Sequence, residues 1–163
     1  MVFGLVSAAS AKDMTGRFGL GYFNSDAPVG LRYWFSPKLG IDLGVGFESK
    51  DLGASNATSY WIEGGIPYTI YSADNANLYL RASGTLGILD DRVYGSGTLD
   101  KTWTTVRVTI GPAAEVFFGD HFSLQAAHGI AIDFVSPPDP AESLTSVSTL
   151  AGGVSELGFH FYF

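Results

Sequence analysis

The 163 residues contain no cysteine, and charged side chains make up only 15% of the chain, well below the roughly 25% of an ordinary globular protein. The first absence removes a disulfide framework and any thiolate metal site. The second, joined to a formal net charge of -7, excludes nucleic acid as a partner, because phosphate binding needs a basic stripe that no segment supplies. No stretch approaches the ~20 consecutive apolar residues of a membrane-spanning helix. Histidine is scarce too: His121, His128 and His160 stand apart without the spacing of zinc ligands. No catalytic, metal or cofactor-binding residue is therefore expected, and the pairing of His160 with Glu156 on one strand face is read as an interior contact. What is present in quantity is glycine, at 21 residues, and aromatic side chains, at 14%. The length suits one domain.

The opening MVFGLVSAASA carries an apolar run from Val2 to Val6 and then the small residues Ala9, Ser10 and Ala11 in an A-x-A arrangement. Residues 1–11 are read as a signal-peptide remnant and 12–163 as the domain. From Met14 onward the pattern is alternation with period two, which predicts strands over 15–23, 29–35, 39–49, 58–70, 77–88, 102–118, 122–134 and 149–163. Connections at 36–38, 71–76 and 119–121 are short. Those at 50–57, 89–101 and 135–148 are long, and only NSDAP at 24–28 breaks the rule. Short turns on one rim and long loops on the other describe an eight-stranded up-and-down barrel.

The two faces differ sharply. In the third strand Leu39, Ile41, Leu43, Val45 and Phe47 share one parity, and Gly40, Asp42, Gly44, Gly46 and Glu48 the other. The charged strand residues (Arg17, Arg32, Asp42, Glu48, Glu63, Arg81, Arg107, Glu115, Asp133, Glu156) all fall on the glycine-bearing face. Alternation alone does not say whether that face meets water or a lumen. Three details favour a lumen. The lysines Lys12, Lys38, Lys50 and Lys101 lie outside the predicted strands, whereas Arg17, Arg32, Arg81 and Arg107 lie within them, as an enclosed face that needs planar, pairable cations requires. Glycine on the charged face fits crowding in a narrow bore. The apolar face carries aromatics near both ends, Tyr22, Phe47, Tyr60 and Phe134 toward the long loops and Phe35, Tyr68, Phe118, Phe122 and Phe163 toward the short turns, like two interfacial girdles.

Tight hairpins at 36–38 and 119–121 put Arg32 opposite Asp42 and Arg107 opposite Asp133, with Glu63 and Arg81 as near or diagonal neighbours across the longer turn. Opposite charges paired across strands offset each other's desolvation. Arg17, Arg32, Asp42, Glu63, Arg81, Arg107, Asp133 and Glu156 thus form an expected lumen charge network.

The runs GLRYWFSPKLGIDLGVGFES (30–49) and GPAAEVFFGDHFSLQAAHGI (111–130) and the terminal LGFHFYF (157–163) resemble the small outer-membrane β-barrel superfamily, of the OmpA transmembrane domain and OmpX type. The resemblance covers residues 14–163. It implies an all-β, eight-stranded antiparallel transmembrane barrel in a bacterial outer membrane with periplasmic termini, and a C-terminal signal at Phe159, Phe161 and Phe163 for the barrel-assembly machinery. The superfamily shares no catalytic motif, and this chain departs from it by turning Trp34, Trp61 and Trp103 toward the lumen. A bore filled by these rings excludes an open pore. The expected role is structural, adhesive or partner-binding, non-enzymatic, with outer-membrane lipid around the barrel and an extracellular or envelope protein at the loops 50–57, 89–101 and 135–148. A narrow channel or hydrophobic-solute carrier, a lipid-modifying enzyme and a soluble carrier with the faces exchanged are the alternatives.

Overall fold

The computed structural model describes residues 12–53, 56–94, 101–138, 141–149 and 155–163. Its strands are β1 (Phe18–Tyr22), β2 (Val29–Trp34), β3 (Gly40–Asp51), β4 (Asn56–Ala73), β5 (Ala76–Asp90), β6 (Thr102–Phe118), β7 (Phe122–His128), β8 (Ile130–Ser136), β9 (Leu144–Ser148) and β10 (Ser155–Tyr162), with a helical turn α1 (Asp91–Tyr94) after β5. All pairings are antiparallel, sequential neighbours pair from β1 to β6, and β1 closes the ring against β10. The result is an eight-stranded barrel in which β7 with β8, and β10 with β9, each supply one staggered strand. Among the described residues no helix is long and apolar enough to cross a membrane.

The seventh and eighth strands depart from their expected bounds, for different reasons. Between β7 and β8 the register against β6 is unchanged, Ala113 facing Ala127 below the break and Ile110 facing Ile130 above it. Pro112 sits opposite the break and has no N–H to give to the ladder. The eighth strand, expected over 149–163, is β10 from Ser155 onward, and β9 lies before it within the connection expected over 135–148. Three steps along the neighbouring strand, from His128 to Ala131, match seven along this one, from Ser148 to Ser155. The first strand is also shorter than expected, starting at Phe18 and leaving Arg17 just outside it.

Strands extend into the long connections. β3 and β4 stay paired to Asp51 and Asn56, so half of the loop expected over 50–57 is strand and Lys50 lies inside it. β8 and β9 make a second raised hairpin within 135–148. The signal-peptide remnant, Asp139 and most of 94–102 lie outside the described residues.

Parity distributes the side chains as the alternation predicts. Leu39, Ile41, Leu43, Val45 and Phe47 are exposed on the outside, and Gly40, Asp42 and Gly44 are buried. Aromatics project outward near both rims, Phe47 and Tyr60 as a cross-strand pair at one end and Phe118 with Phe122 at the other, ring centroids 5.9 Å apart. An outside of leucine, valine and phenylalanine around a charged centre inverts the water-soluble arrangement.

Candidate functional site: the lumen

From the short-turn end upward the bore changes character three times. Its floor is an apolar cluster of Met14, Trp34, Phe117 and Tyr162, all buried. Above it lies the charged layer. Arg32, wholly without solvent exposure, donates from Nε to Asp42 Oδ1 at 2.6 Å and from Nη2 to Asp42 Oδ2 at 2.8 Å. This is the fork-to-carboxylate geometry that only arginine supplies. Its Nη1 donates to the Tyr79 hydroxyl at 3.0 Å and to Glu115 Oε2 at 3.2 Å. The guanidinium also lies over three rings, Phe23, Trp34 and Tyr79, at 5.3, 5.8 and 5.3 Å from their centroids, a desolvated setting in which cation–π attraction is strong.

Arg81 collects the other acids. It donates to Asp42 Oδ2 at 2.7 Å, to Glu156 Oε2 at 2.9 Å and to Glu63 Oε1. Glu63 and Arg81 meet although Arg81 pairs with Pro67 and Glu63 with Thr85. They are therefore farther apart in register than diagonal neighbours, and a long guanidinium bridges the offset. Two arginines serve four carboxylates here, Asp42, Glu63, Glu115 and Glu156. Neutral donors supply the remaining hydrogen bonds: Ser123 and Tyr162 hydroxyls donate to Glu115 at 2.5 and 2.8 Å, and Asn24 Nδ2 donates to Glu63 at 2.5 Å. A buried carboxylate is tolerated when its lone pairs are met in this way.

The third layer is the turn at 23–28, which folds into the barrel instead of rising from it. Asn24 Oδ1 accepts the backbone N–H groups of Asp26 and Ala27 at 3.0 and 2.8 Å, an Asx turn that brings Phe23 and Ala27 into full burial. Two glycines make the room. A Cβ on Gly30 would lie 1.7 Å from the Phe23 ring, and one on Gly46 would lie 2.0 Å from the Asp26 carbonyl oxygen.

Above the turn the bore opens into a cup. Asn24, Ser25, Asp26, Thr85, Arg107 and Glu156 border a cavity of about 560 Å3, which adjoins a second of about 300 Å3 beside Trp61, Thr105 and Asp133. Arg107 donates to Asp133 at 2.6 Å, as the hairpin register predicts, and approaches Asp26 at 3.6 Å. Trp34, Trp61 and Trp103 all share the inward parity: Trp34 is buried, Trp61 borders the cup, and Trp103 Nε1 donates to Asp91 at 2.6 Å near the rim.

Of the residues expected in the network, Arg32, Asp42, Glu63, Arg81 and Glu156 come together in one buried layer, and Arg107 with Asp133 forms a separate pair in the cup. Arg17 does not join them. It precedes β1 at the short-turn rim and forms no salt bridge among the described residues. His160 faces Glu115, at 3.3 Å from Nδ1, rather than Glu156. Glu115 and Tyr79, both of inward parity, are central to the layer, and so is Asn24 of the turn, which was not expected there. Parity reveals that Glu115 faces inward, but not that it reaches Arg32 across the bore.

The remaining histidines are dispersed. His121 Nδ1 lies 2.9 Å from the Tyr162 carbonyl at the short turn, and His128 faces outward in mid-strand with Nδ1 2.8 Å from Ser155 Oγ. No carboxylate bonds to His128 among the described residues. Among the described residues no group of three or more His, Asp or Glu is arranged to hold a metal ion.

A closed ring of eight antiparallel strands, apolar without and charged within, is the decisive observation. The fold is that of the small outer-membrane barrels. The N-terminal β-barrel domain of OprF from Pseudomonas aeruginosa superposes with a TM-score of 0.54 at 13% identity, covering 91% of this chain and 98% of that one. Ail, the attachment invasion locus protein of Yersinia pestis, aligns with a TM-score of 0.42 at 13% identity over 92% and 100% of the two chains. No protein-family model and no curated protein matches the sequence.

Proposed function

We propose that the chain is a non-enzymatic, non-conducting barrel of a bacterial outer membrane, structural in itself and binding an extracellular or envelope protein through its raised hairpins. The observation that carries the first part is the sealed charged layer: Arg32 and Glu115 have no solvent exposure and Asp42 almost none. An ion crossing the bore would have to break the arginine fork and displace Met14, Trp34, Phe117 and Tyr162 below it. The outer apolar belt with its two aromatic girdles supports lipid as the surrounding solvent.

Support for a loop partner comes from the hairpins. The β3–β4 ladder continues through four residue pairs beyond Phe47 and Tyr60, from Glu48 with Ser59 to Asp51 with Asn56. Such a ladder presents its side chains in a fixed order and loses little entropy on binding. Outward-facing Phe159, Phe161 and Phe163 support recognition by the barrel-assembly machinery during biogenesis. Planar-bilayer recording tests the closed bore: the refolded protein gives a silent trace, and stepwise openings of constant size overturn the reading.

A further inference from the structure

The cup is open at the side as well as at the top. Six of the residues around the 560 Å3 cavity face the lumen, but Tyr22, Ser155 and Leu157 also border it, and all three have outward parity. Tyr22 pairs with outward Phe159, Ser155 with outward His128, and Leu157 is 73% exposed. The cavity therefore reaches the wall at the upper end of the β1–β10 seam.

The strand lengths explain the breach. β1 ends at Tyr22 and β2 begins at Val29, and the turn between them folds inward, so neither strand rises beside its neighbours. β3 continues to Asp51 on one side of the resulting notch. On the other side Ser155–Leu157 of β10, and β9 above it, have no strand on that edge among the described residues. Phe47, Val147 and Leu157, at 76%, 68% and 73% exposure, flank the notch. They lie toward the aromatic girdle of the long-loop end.

We infer that this notch admits an amphiphile from the outer leaflet, its chain between Leu157 and Phe47 and its polar head in the cup, and that the head is a cationic amine. The edge that has no strand partner among the described residues cannot face hydrocarbon alone, because an N–H or C=O group left bare there is costly. Beside the cup that edge meets polar groups, and outside it meets leucine and phenylalanine, so the occupant must be polar at one end and apolar at the other. The sign of the head follows from the walls. Asp26, Asp133 and Glu156 border the two adjoining cavities; Glu156 is held by Arg81 at 2.9 Å and Asp133 by Arg107 at 2.6 Å, which leaves Asp26 as the acid turned to the space. The Asp26 carboxylate, 43% exposed and only 3.6 Å from Arg107, faces the open space. Trp61 adds an aromatic wall that suits an ammonium group.

The full chain in lipid nanodiscs, titrated while backbone amide NMR signals are followed, tests the inference. A long-chain primary alkylamine should shift Ser25, Asp26, Thr85 and Ser155 in a saturable way. Ethylamine, with the same head and no chain, should bind at least about tenfold more weakly, and an alkyl sulfate of equal length should leave those signals unmoved. Asp26→Asn should weaken the alkylamine by about tenfold, and Asp26→Glu should restore it, which separates lost charge from lost fold. Leu157→Trp should slow exchange while leaving the cup signals in place. Equal binding of ethylamine would show that the cup fills from water, equal binding of the sulfate that charge does not select, and no shift with any ligand that no site exists. Each of these overturns the inference. None bears on the sealed layer beneath the cup, which the bilayer recording tests separately.

Discussion

Arg32 and Arg107 face the same kind of partner across the same kind of tight hairpin, yet their surroundings differ. Arg32 is fully buried and shared between Asp42 and Glu115, whereas Arg107 keeps 30% of its side chain exposed in the cup. Removing one member of a buried pair strands the other charge in a poorly solvating interior. Arg32→Met should therefore cost about 3–5 kcal/mol, and Arg107→Met about 1 kcal/mol or less. Urea titration of the refolded protein in lipid vesicles, read by the heat-dependent shift on a denaturing gel, measures both, and equal losses would refute the distinction. Both arginine–aspartate pairs were legible in the sequence, because a three-residue turn fixes which residues face each other. The depth of each pair was not. Nor was Glu115 as Arg32's second partner, since contacts across a bore depend on strand tilt and closure, which no local pattern encodes.

At the scale of the element, the inward turn at 23–28 decides what the lumen becomes. NSDAP stands out in the sequence as a short connection on the long-loop rim, but its direction depends on Gly30 and Gly46, two strands' worth of space set aside for Phe23 and the Asp26 carbonyl. Gly46→Ala places a methyl against backbone, which cannot rotate away, so the turn must lift. The expected cost is about 1–3 kcal/mol, as for other overpacked sites. The Asp26 and Ala27 amide signals should move together as the Asx turn is lost, and unchanged signals would show that the turn yields without leaving the bore. The opposite rim carries a smaller device. Lys12 Nζ reaches Asp120 Oδ1 at 2.8 Å and the Gly119 carbonyl at 2.9 Å, and this contact holds the exposed Asp120 carboxyl below its ordinary range. A carboxyl with a folded pKa below its unfolded one adds stability that is present above the unfolded value, about 3.9 for Asp, and is lost as pH falls through the folded value. The clasp is thus complete at neutral pH. The Asp120 carboxyl carbon should titrate at lower pH than in Lys12→Ala, and coincident titrations would dissociate the two residues.

Across the whole molecule, closure depends on the last strand meeting the first. β10 pairs with β1 from Tyr162 opposite Gly19 to Phe159 opposite Tyr22, and the Phe163 N–H donates to the Phe18 carbonyl at 2.9 Å. The terminal aromatics, the alternation and the face carrying charge made the barrel and its seam readable before any coordinates. The strand β9 was hidden, because 144–148 fall in a connection expected to be a loop, and only the ladder shows them paired with β8. The proposed assembly signal can be separated from stability at this seam. Phe163 is 71% exposed and gives the fold a backbone hydrogen bond that alanine retains, while its ring stands on the outer face. Phe35, 55% exposed near the same rim, offers lipid a comparable ring and has no place in the terminal pattern. Phe35→Ala and Phe163→Ala should therefore lose similar stability after refolding in vesicles, at most about 1.5–3 kcal/mol each for one aromatic side chain withdrawn from an apolar solvent. In cells their outcomes should part: Phe163→Ala should accumulate as unfolded, heat-insensitive protein while Phe35→Ala reaches the membrane. If both variants fall equally, stability alone sets their level, and the terminal phenylalanine is an ordinary member of the girdle.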